Sequence, residues 1–209
     1  MNKIVQLAFN ILRSIKSVSV ATVSNGLPQN RIMDIMLVEK ETLFFITARG
    51  KSVYRQLKKT PRIAICALDK HYNAIRVNGD IKFCKQRKIM DKIFEQNPIL
   101  NDLYPGKKGE ILKVFQVYKG EGEIFELSKS PIVRTHFVFG GVIHVLQKYV
   151  INNTCISCGE CFDVCPNKAV LRSMDNCYSI NTLFCLECGA CFEVCPVNAI
   201  DLLKTIRKN

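Results

Sequence analysis

No apolar run in this chain approaches the roughly 18 residues needed to cross a bilayer as a helix. The N-terminal MNKIVQLAFNILRSIKSVSV also lacks the unbroken apolar core and small-residue cleavage site of a signal peptide. Its apolar residues Ile4, Leu7, Ala8, Ile11, Leu12 and Ile15 recur at helical spacing, which predicts an amphipathic helix. A soluble, cytoplasmic protein with no membrane partner is expected, in a compartment where thiols stay reduced and clustered cysteines bind metal. Acidic side chains are scarce, with 18 Asp and Glu against 30 Lys and Arg for a net charge of +12. The imbalance is local: residues 1–150 hold 25 basic against 12 acidic residues, and residues 151–209 hold 5 against 6. Zinc-finger spacing, an RNP-like aromatic strand and a dense basic run are all missing, so nucleic acid is not an expected partner. A solvated surface is the plain reading of this charge; an anionic cofactor or an electrostatically steered acidic redox partner is the sharper one. Neither GxGxxG nor a Walker sequence occurs, and no nucleophile is paired with a base, so any chemistry belongs to cofactors.

Cysteine is abundant in one place. Nine of the eleven cysteines follow residue 150, and eight of them fall in two copies of one run, CISCGECFDVCP from Cys155 and CLECGACFEVCP from Cys185. Each reads C-x2-C-x2-C-x3-C-P. Three closely spaced thiolates suit three irons on one face of an iron–sulfur cube, and the glycine after each second cysteine, Gly159 and Gly189, lets backbone amides approach the sulfides. A pair of zinc sites is the competing reading, but zinc prefers two separated cysteine pairs that close one tetrahedron. Of the remaining cysteines, Cys177 reads as a small packing residue between the motifs, and Cys66 and Cys84 read as buried thiols in apolar strands.

From residue 150 to 204, including NKAV and VNAI after each proline, the tail resembles the bacterial two-cluster ferredoxins. In such proteins the ligand sets interleave, the fourth cysteine of each run serving the other cluster. The resemblance therefore implies two 4Fe-4S clusters, one on Cys155, Cys158, Cys161 and Cys195, the other on Cys185, Cys188, Cys191 and Cys165. So short a segment, poor in large apolar side chains, is expected to need its metal to fold.

The first 150 residues alternate apolar runs with turn signals: VSVATVS, RIMDIMLVE, TLFFITA, RIAICAL, AIRVNGDI, KVFQVYKG and EIFEL, with a hairpin at Asn25-Gly26 and turns or bulges at Gly79 and Gly120. Helical periodicity returns at 51–59 and 86–96. Seven or so short strands with inserted helices predict a mainly β, α+β protein with a closed or sandwiched sheet. In TLFFITARGKSVYRQLKK a strand delivers Thr47, Arg49, Gly50, Lys51 and Ser52 to the first turn of a helix. Free amides, the helix dipole, two cations and two hydroxyls there suit a phosphate monoester.

VATVSNGLPQNRIM, then LFFITARGKSVYRQLKKTPRIAIC, then AIRVNGDI resemble, over residues 15 to 127, the flavin mononucleotide (FMN)-binding split barrel of the pyridoxamine 5′-phosphate oxidase superfamily. The resemblance implies a homodimer with FMN at the subunit interface. By position it places Arg31, Ile32, Met33 and Asp34 beside the flavin ring and ribityl chain, Ile46 and Thr47 against ring or phosphate, and Lys51 with Ser52 on the phosphate. A family glutamine falls at Asn73-Ala74, which makes Asn73 its nearest polar counterpart. Met36 stands where the vitamin-processing oxidases carry a substrate-binding lysine, and their Arg-Asp-Ser-Gln segment has no counterpart in NPILNDLYPGKKGE.

The expected organisation is a split-barrel domain over 1–130, a packed linker over 131–150 and a ferredoxin-like domain over 151–209. The linker holds Arg134, His136 and His144; Arg134 or His136 is a candidate to reach a partner's flavin, and a structural role is the alternative. An FMN-dependent oxidoreductase follows, passing electrons between the clusters and FMN, with a small redox protein or small molecule as donor or acceptor. An FMN-storing redox sensor and a pyridoxamine or pyridoxine 5′-phosphate oxidase are its rivals.

Overall fold

The computed structural model describes residues 2–105, 110–141 and 144–207, with the side chains of 144–147 and 204–207 left aside. The N-terminal unit runs α1 (Lys3–Ile15), β1 (Ser17–Ser24), β2 (Leu27–Asp34), β3 (Leu37–Glu39), β4 (Thr42–Ala48), α2 (Ser52–Lys59), β5 (Arg62–Leu68), β6 (Asn73–Cys84), α3 (Arg87–Gln96), α4 (Ile99–Leu103), β7 (Leu112–Glu126) and β8 (Val133–Phe139). The tail runs β9 (His144–Ile151), α5 (Glu160–Asp163), β10 (Val170–Arg172), β11 (Tyr178–Ile180), α6 (Ala190–Glu193) and β12 (Ile200–Arg207).

One antiparallel eight-stranded sheet in the order β2-β1-β5-β6-β7-β4-β3, with β8 added to β7, forms the body. Alternation builds it: Val18, Val20 and Thr22 of β1 and Ile63, Ile65 and Ala67 of β5 face inward. They meet Phe45, Phe115, Phe137 and Phe139 and the buried stripe Val5, Ala8, Phe9 and Leu12 of α1. A second apolar cluster, with Leu37, Phe44, Ile93, Phe94, Leu100, Leu112 and Val114, lies under α3 and α4. The mainly β expectation holds.

Three boundaries differ from expectation. KVFQVYKG and EIFEL form one strand, β7: Gly120 pairs with Gly79 beside a register shift at Asp80/Ile81, the bulge expected there, and Gly122 admits close neighbours. A Cβ on Gly122 would stand 2.4 Å from the Phe137 ring and 2.5 Å from the Arg76 carbonyl oxygen. RIMDIMLVE breaks between Asp34 and Leu37 into β2 and β3. The expected linker over 131–150 is strand: β8 pairs with β7 from Gly120↔Phe139 to Glu126↔Val133, and β9 pairs with β12, so the barrel unit extends to Phe139. Residues 142 and 143 of that stretch, and the His144 side chain, lie outside what is described.

Cys66 is exposed, because β5 turns Ile63, Ile65 and Ala67 inward and Cys66 outward. Cys84 is half-buried, and Cys177 is exposed in the turn before β11, not packed.

Candidate functional site

Two kinds of site emerge. In the tail, the two cysteine runs fold alike. Gly159 and Gly189 adopt φ of 89° and 80°, a left-handed conformation that suits glycine, and launch α5 and α6. Against these turns lie Tyr178, whose hydroxyl is 3.1 Å from a Cβ built on Gly159, and Tyr149, at 3.8 Å from one on Gly189. The eight thiols gather into two rings that mix the runs. One small cavity is lined by Cys165, Cys185, Cys188 and Cys191 under Tyr149, and another by Cys155, Cys158, Cys161 and Cys195 under Tyr178. Each cavity thus brings three cysteines of one run together with the fourth cysteine of the other.

Backbone N–H groups already point at sulfur: Ala169 donates to Cys165 Sγ at 3.2 Å, Ala199 to Cys195 Sγ at 3.1 Å and Ser157 to Cys155 Sγ at 3.4 Å. Burial, then the crowding of Cys185, Cys165 and Cys188, pushes the Cys191 thiol up to about 11. Burial also raises Cys161 and Cys185. Buried, crowded thiols of this kind ionise readily once a metal cation is bound beside them. In each ring the four thiols stand around a small cavity. That spread suits a bulky inorganic cluster.

The barrel carries a cleft of about 270 Å³ where the ends of β2 and β4 meet α4. Six expected cofactor residues line it: Ile32, Met33, Asp34, Ile46, Thr47 and Lys51. Thr47 is 2% exposed, and its Oγ1 is the one buried side-chain oxygen or nitrogen without a hydrogen-bond partner among the described residues. A buried, unpaired hydroxyl is destabilising unless something else supplies its partner. Lys51 sits at the N-cap of α2, whose first turn has no side-chain cap and no acid. Ser52 follows, exposed, as the first residue of α2.

Arg31 and Asn73 lie elsewhere. Arg31 donates to Thr22 Oγ1 and to Gln56 Oε1, the latter at 3.0 Å, and so ties β2 to β1 and α2. Burial lowers its pKa from the ordinary value. Asn73, at the far end of β6, donates through Nδ2 to Asp69 Oδ2 at 2.8 Å. Lining residues that the residue pattern did not single out are Lys16, Asn97, Leu100, Leu103 and Tyr104. Asn97 holds this wall in place: buried, it donates to the carbonyls of Met36 (2.9 Å) and Ile93 (2.7 Å). A polar residue just before Pro98 was its sole signal.

The two units are joined through β8. The Arg134 N–H donates to the Leu183 carbonyl at 2.8 Å, and its guanidinium bridges Glu123 of β7 (2.8 Å) and Glu187 (2.7 Å), which lies between Cys185 and Cys188. Burial opposes the Arg134 charge, but the two carboxylates outweigh it and raise its pKa. Asn167 is buried; its Oδ1 accepts from Ile132 N–H at 2.8 Å, and its Nδ2 donates to the carbonyls of Ile132 (2.8 Å) and Phe184 (2.7 Å). His136 stands 3.7 Å from Glu123, in this same cluster and away from the cleft.

Comparisons with known proteins agree with both halves. The pyridoxamine 5′-phosphate oxidase family model matches residues 6–117, and a 4Fe-4S dicluster domain model matches residues 147–196. Among curated proteins none matches. Among solved structures, a NimC/NimA family protein of Clostridium acetobutylicum aligns with a TM-score of 0.58 at 21% identity, over 65% of this chain and 92% of that one. A protein of the same organism related to general stress protein 26 aligns at 0.51 and 17%, over 65% and 94%. General stress protein 26 of Bacillus anthracis aligns at 0.51 and 14%, over 59% and 94%. Those alignments establish the barrel fold, and no described helix is long and apolar enough to cross a membrane. With its family model spanning more than half of the residues, the chain belongs to the pyridoxamine 5′-phosphate oxidase family and carries a 4Fe-4S dicluster domain behind the barrel.

Proposed function

We propose that the protein is a homodimeric iron–sulfur flavoprotein oxidoreductase that holds FMN in the barrel cleft and a 4Fe-4S cluster in each thiol ring. The observation that carries the flavin half is Thr47 Oγ1, a buried hydroxyl whose missing partner is supplied by a phosphate oxygen. Lys51 and the uncapped first turn of α2 contribute positive potential beside it, and the Ser52 hydroxyl lies next to them. Ile32, Met33 and Ile46 offer apolar walls and Asp34 a polar edge. Arg31 acts by holding α2 to β2. When bound, FMN exchanges one or two electrons and each cluster one, so the fusion suits conversion between single-electron and two-electron traffic. A small redox protein fits the cluster side, and a small molecule or a flavin the FMN side. Met36 lines the cleft where a substrate-binding lysine would be needed, which speaks against oxidation of pyridoxamine 5′-phosphate.

Anaerobic purification followed by counting of iron, sulfide and flavin tests this reading. Two clusters correspond to roughly eight irons per chain, with one FMN alongside; zinc in place of iron, or no flavin, overturns it. Formation of pyridoxal 5′-phosphate from the amine would restore the oxidase reading.

A further inference from the structure

A second cavity, about 540 Å³ against about 270 Å³ for the cleft, opens between α2, the β6–α3 turn and the start of β7. Small-molecule sites fall between roughly 300 and 1,000 Å³. Helix α2 leads from one cavity to the other: Lys51 at its N-cap lines the cleft, and Tyr54 and Lys58, one and two turns on, line the groove. Leu112 borders both. No residue assigned above to the flavin or the clusters lines the groove.

Its lining has two parts. Apolar surface comes from Tyr54, Phe83, Met90 and Phe94. The Tyr54 and Phe83 rings meet edge to face with centroids 5.1 Å apart, and both are half-buried, so ring surface is held in place without being covered. Positive charge comes from Lys58, Lys85, Arg87 and Lys113, against Asp91 as the single acid in the lining. Lys58 Nζ stands 5.9 Å from the centroid of the Phe83 ring, which joins the two parts.

An ordinary solvated surface does not look like this. Among the described residues none of the four cations is ion-paired, whereas Lys92, Lys119 and Lys129 elsewhere on the barrel each have a carboxylate. Lys113 is also half-buried, and a cation drawn out of water with no carboxylate beside it is one that a bound anion would neutralise. Helix α3 begins at the same place. Gln86 and Arg87 line the groove, the N-cap Gln86 makes no side-chain cap and the first turn holds no acid, so the helix dipole adds to the positive potential.

We propose that this groove is a second binding site, for a small planar aromatic molecule that carries an anionic group such as a phosphate, carboxylate or sulfonate. The rings of Tyr54 and Phe83 take its plane, and Lys113, Lys58 and the head of α3 take its charge. None of the cleft's polar groups is used, so the groove works whether or not FMN occupies the cleft.

The probe is 8-anilinonaphthalene-1-sulfonate, a planar aromatic anion, titrated calorimetrically into the full-length protein with its cofactors as purified. N-phenyl-1-naphthylamine, with the same rings and no sulfonate, is the neutral control. One anionic probe per chain is expected to bind. Lys113→Gln should weaken it by about tenfold or more and leave the neutral probe unchanged, and Tyr54→Leu should weaken both. Lys58→Gln, on the exposed rim, gives the same reading as Lys113→Gln should that variant fail to fold. Lys70→Gln removes an equal charge from the β5–β6 turn, and Lys51→Gln removes one from the cleft; both should bind the probe as wild type does. No binding of the anionic probe, indifference to the groove lysines, or equal weakening by Lys70→Gln overturns the proposal. Loss of binding in Lys51→Gln moves the probe to the cleft and overturns it as well. Absence of FMN from the purified protein strikes the flavin reading alone and leaves the groove titration decisive.

Discussion

Thr47 makes the sharpest test of the flavin site because one substitution should act with opposite sign on the empty and the loaded protein. Its Oγ1 is buried without a partner. Leaving a buried hydroxyl unsatisfied costs about 1–3 kcal/mol. Thr47→Val keeps the β-branched shape that strand β4 accepts and removes the orphan oxygen. The FMN-free variant is therefore expected to melt higher, by about 2–4 °C for each kcal/mol recovered in a unit of this size. Hydrogen bonds to charged groups contribute about 1.5–3 kcal/mol, which at 1.4 kcal/mol per factor of ten becomes a loss of roughly ten- to hundredfold in FMN affinity.

Two titrations of flavin-free protein, one with FMN and one with riboflavin, isolate the phosphate. Only FMN should weaken, because riboflavin offers Thr47 nothing to bind. Equal weakening of both ligands, or a variant that melts several degrees lower while empty, refutes the argument. Either result would mean that the hydroxyl has a structural task the contacts around it do not reveal.

Three further outcomes follow from the same geometry. Arg134→Gln should lower the midpoint potential of a cluster in the ring of Cys165, Cys185, Cys188 and Cys191, read by EPR-monitored titration, and leave that of the other ring in place, since a cation beside Glu187 and Cys185 is lost; loosening the junction should cost about 3 kcal/mol, the low end of the range because Glu123 keeps Arg76, and Arg134→Lys should restore part of the potential. Cys165→Ala should abolish the cluster expected with Cys185, Cys188 and Cys191 and spare the one expected with Cys195, so loss of the latter's EPR signal instead would reject the interleaved rings. Gly122→Ala should destabilise the barrel by about 1–3 kcal/mol or more through overpacking against Phe137 and the Arg76 carbonyl, measured by thermal melting; an unchanged melting temperature would reject that close approach.

What could be read along the chain and what could not divide by the range of the interactions involved. The thiol rings were legible because eleven residues carry four cysteines each, and the mixing of the two runs was implied by the resemblance to two-cluster ferredoxins. The turn that brings Thr47 and Lys51 together was legible for a local reason: strand, Thr47, Lys51 and helix follow one another closely along the chain. Arg31 was placed beside the flavin by position, yet its guanidinium goes to Thr22 and Gln56, because Gln56 reaches it only after α2 has docked on β1. The orientation of Cys66 was hidden in RIAICAL, where Ala64, Cys66 and Leu68 on the outward face are as apolar as Ile63, Ile65 and Ala67 on the inward one. Gly79 and Gly120 suggested bulges or turns, and the β6–β7 register does shift beside their pairing, between Asp80 and Ile81; Gly122, by contrast, carried no signal, and only the β7–β8 pairing shows it yielding space to a ring from a strand fifteen residues further on.

Arg134 is the strongest case. Its meaning depends on Glu123 eleven residues before it and Glu187 some fifty residues after it, and no local pattern connects the three. The consequence is specific to a fused protein. Each thiol ring and the barrel cleft are built from residues of their own unit, whereas the placement of one unit against the other depends on where β8 lands on β7 and on the carboxylates that Arg134 then meets. Selection on that junction therefore acts on residues that lie in neither cysteine run nor in the turn that holds Thr47 and Lys51.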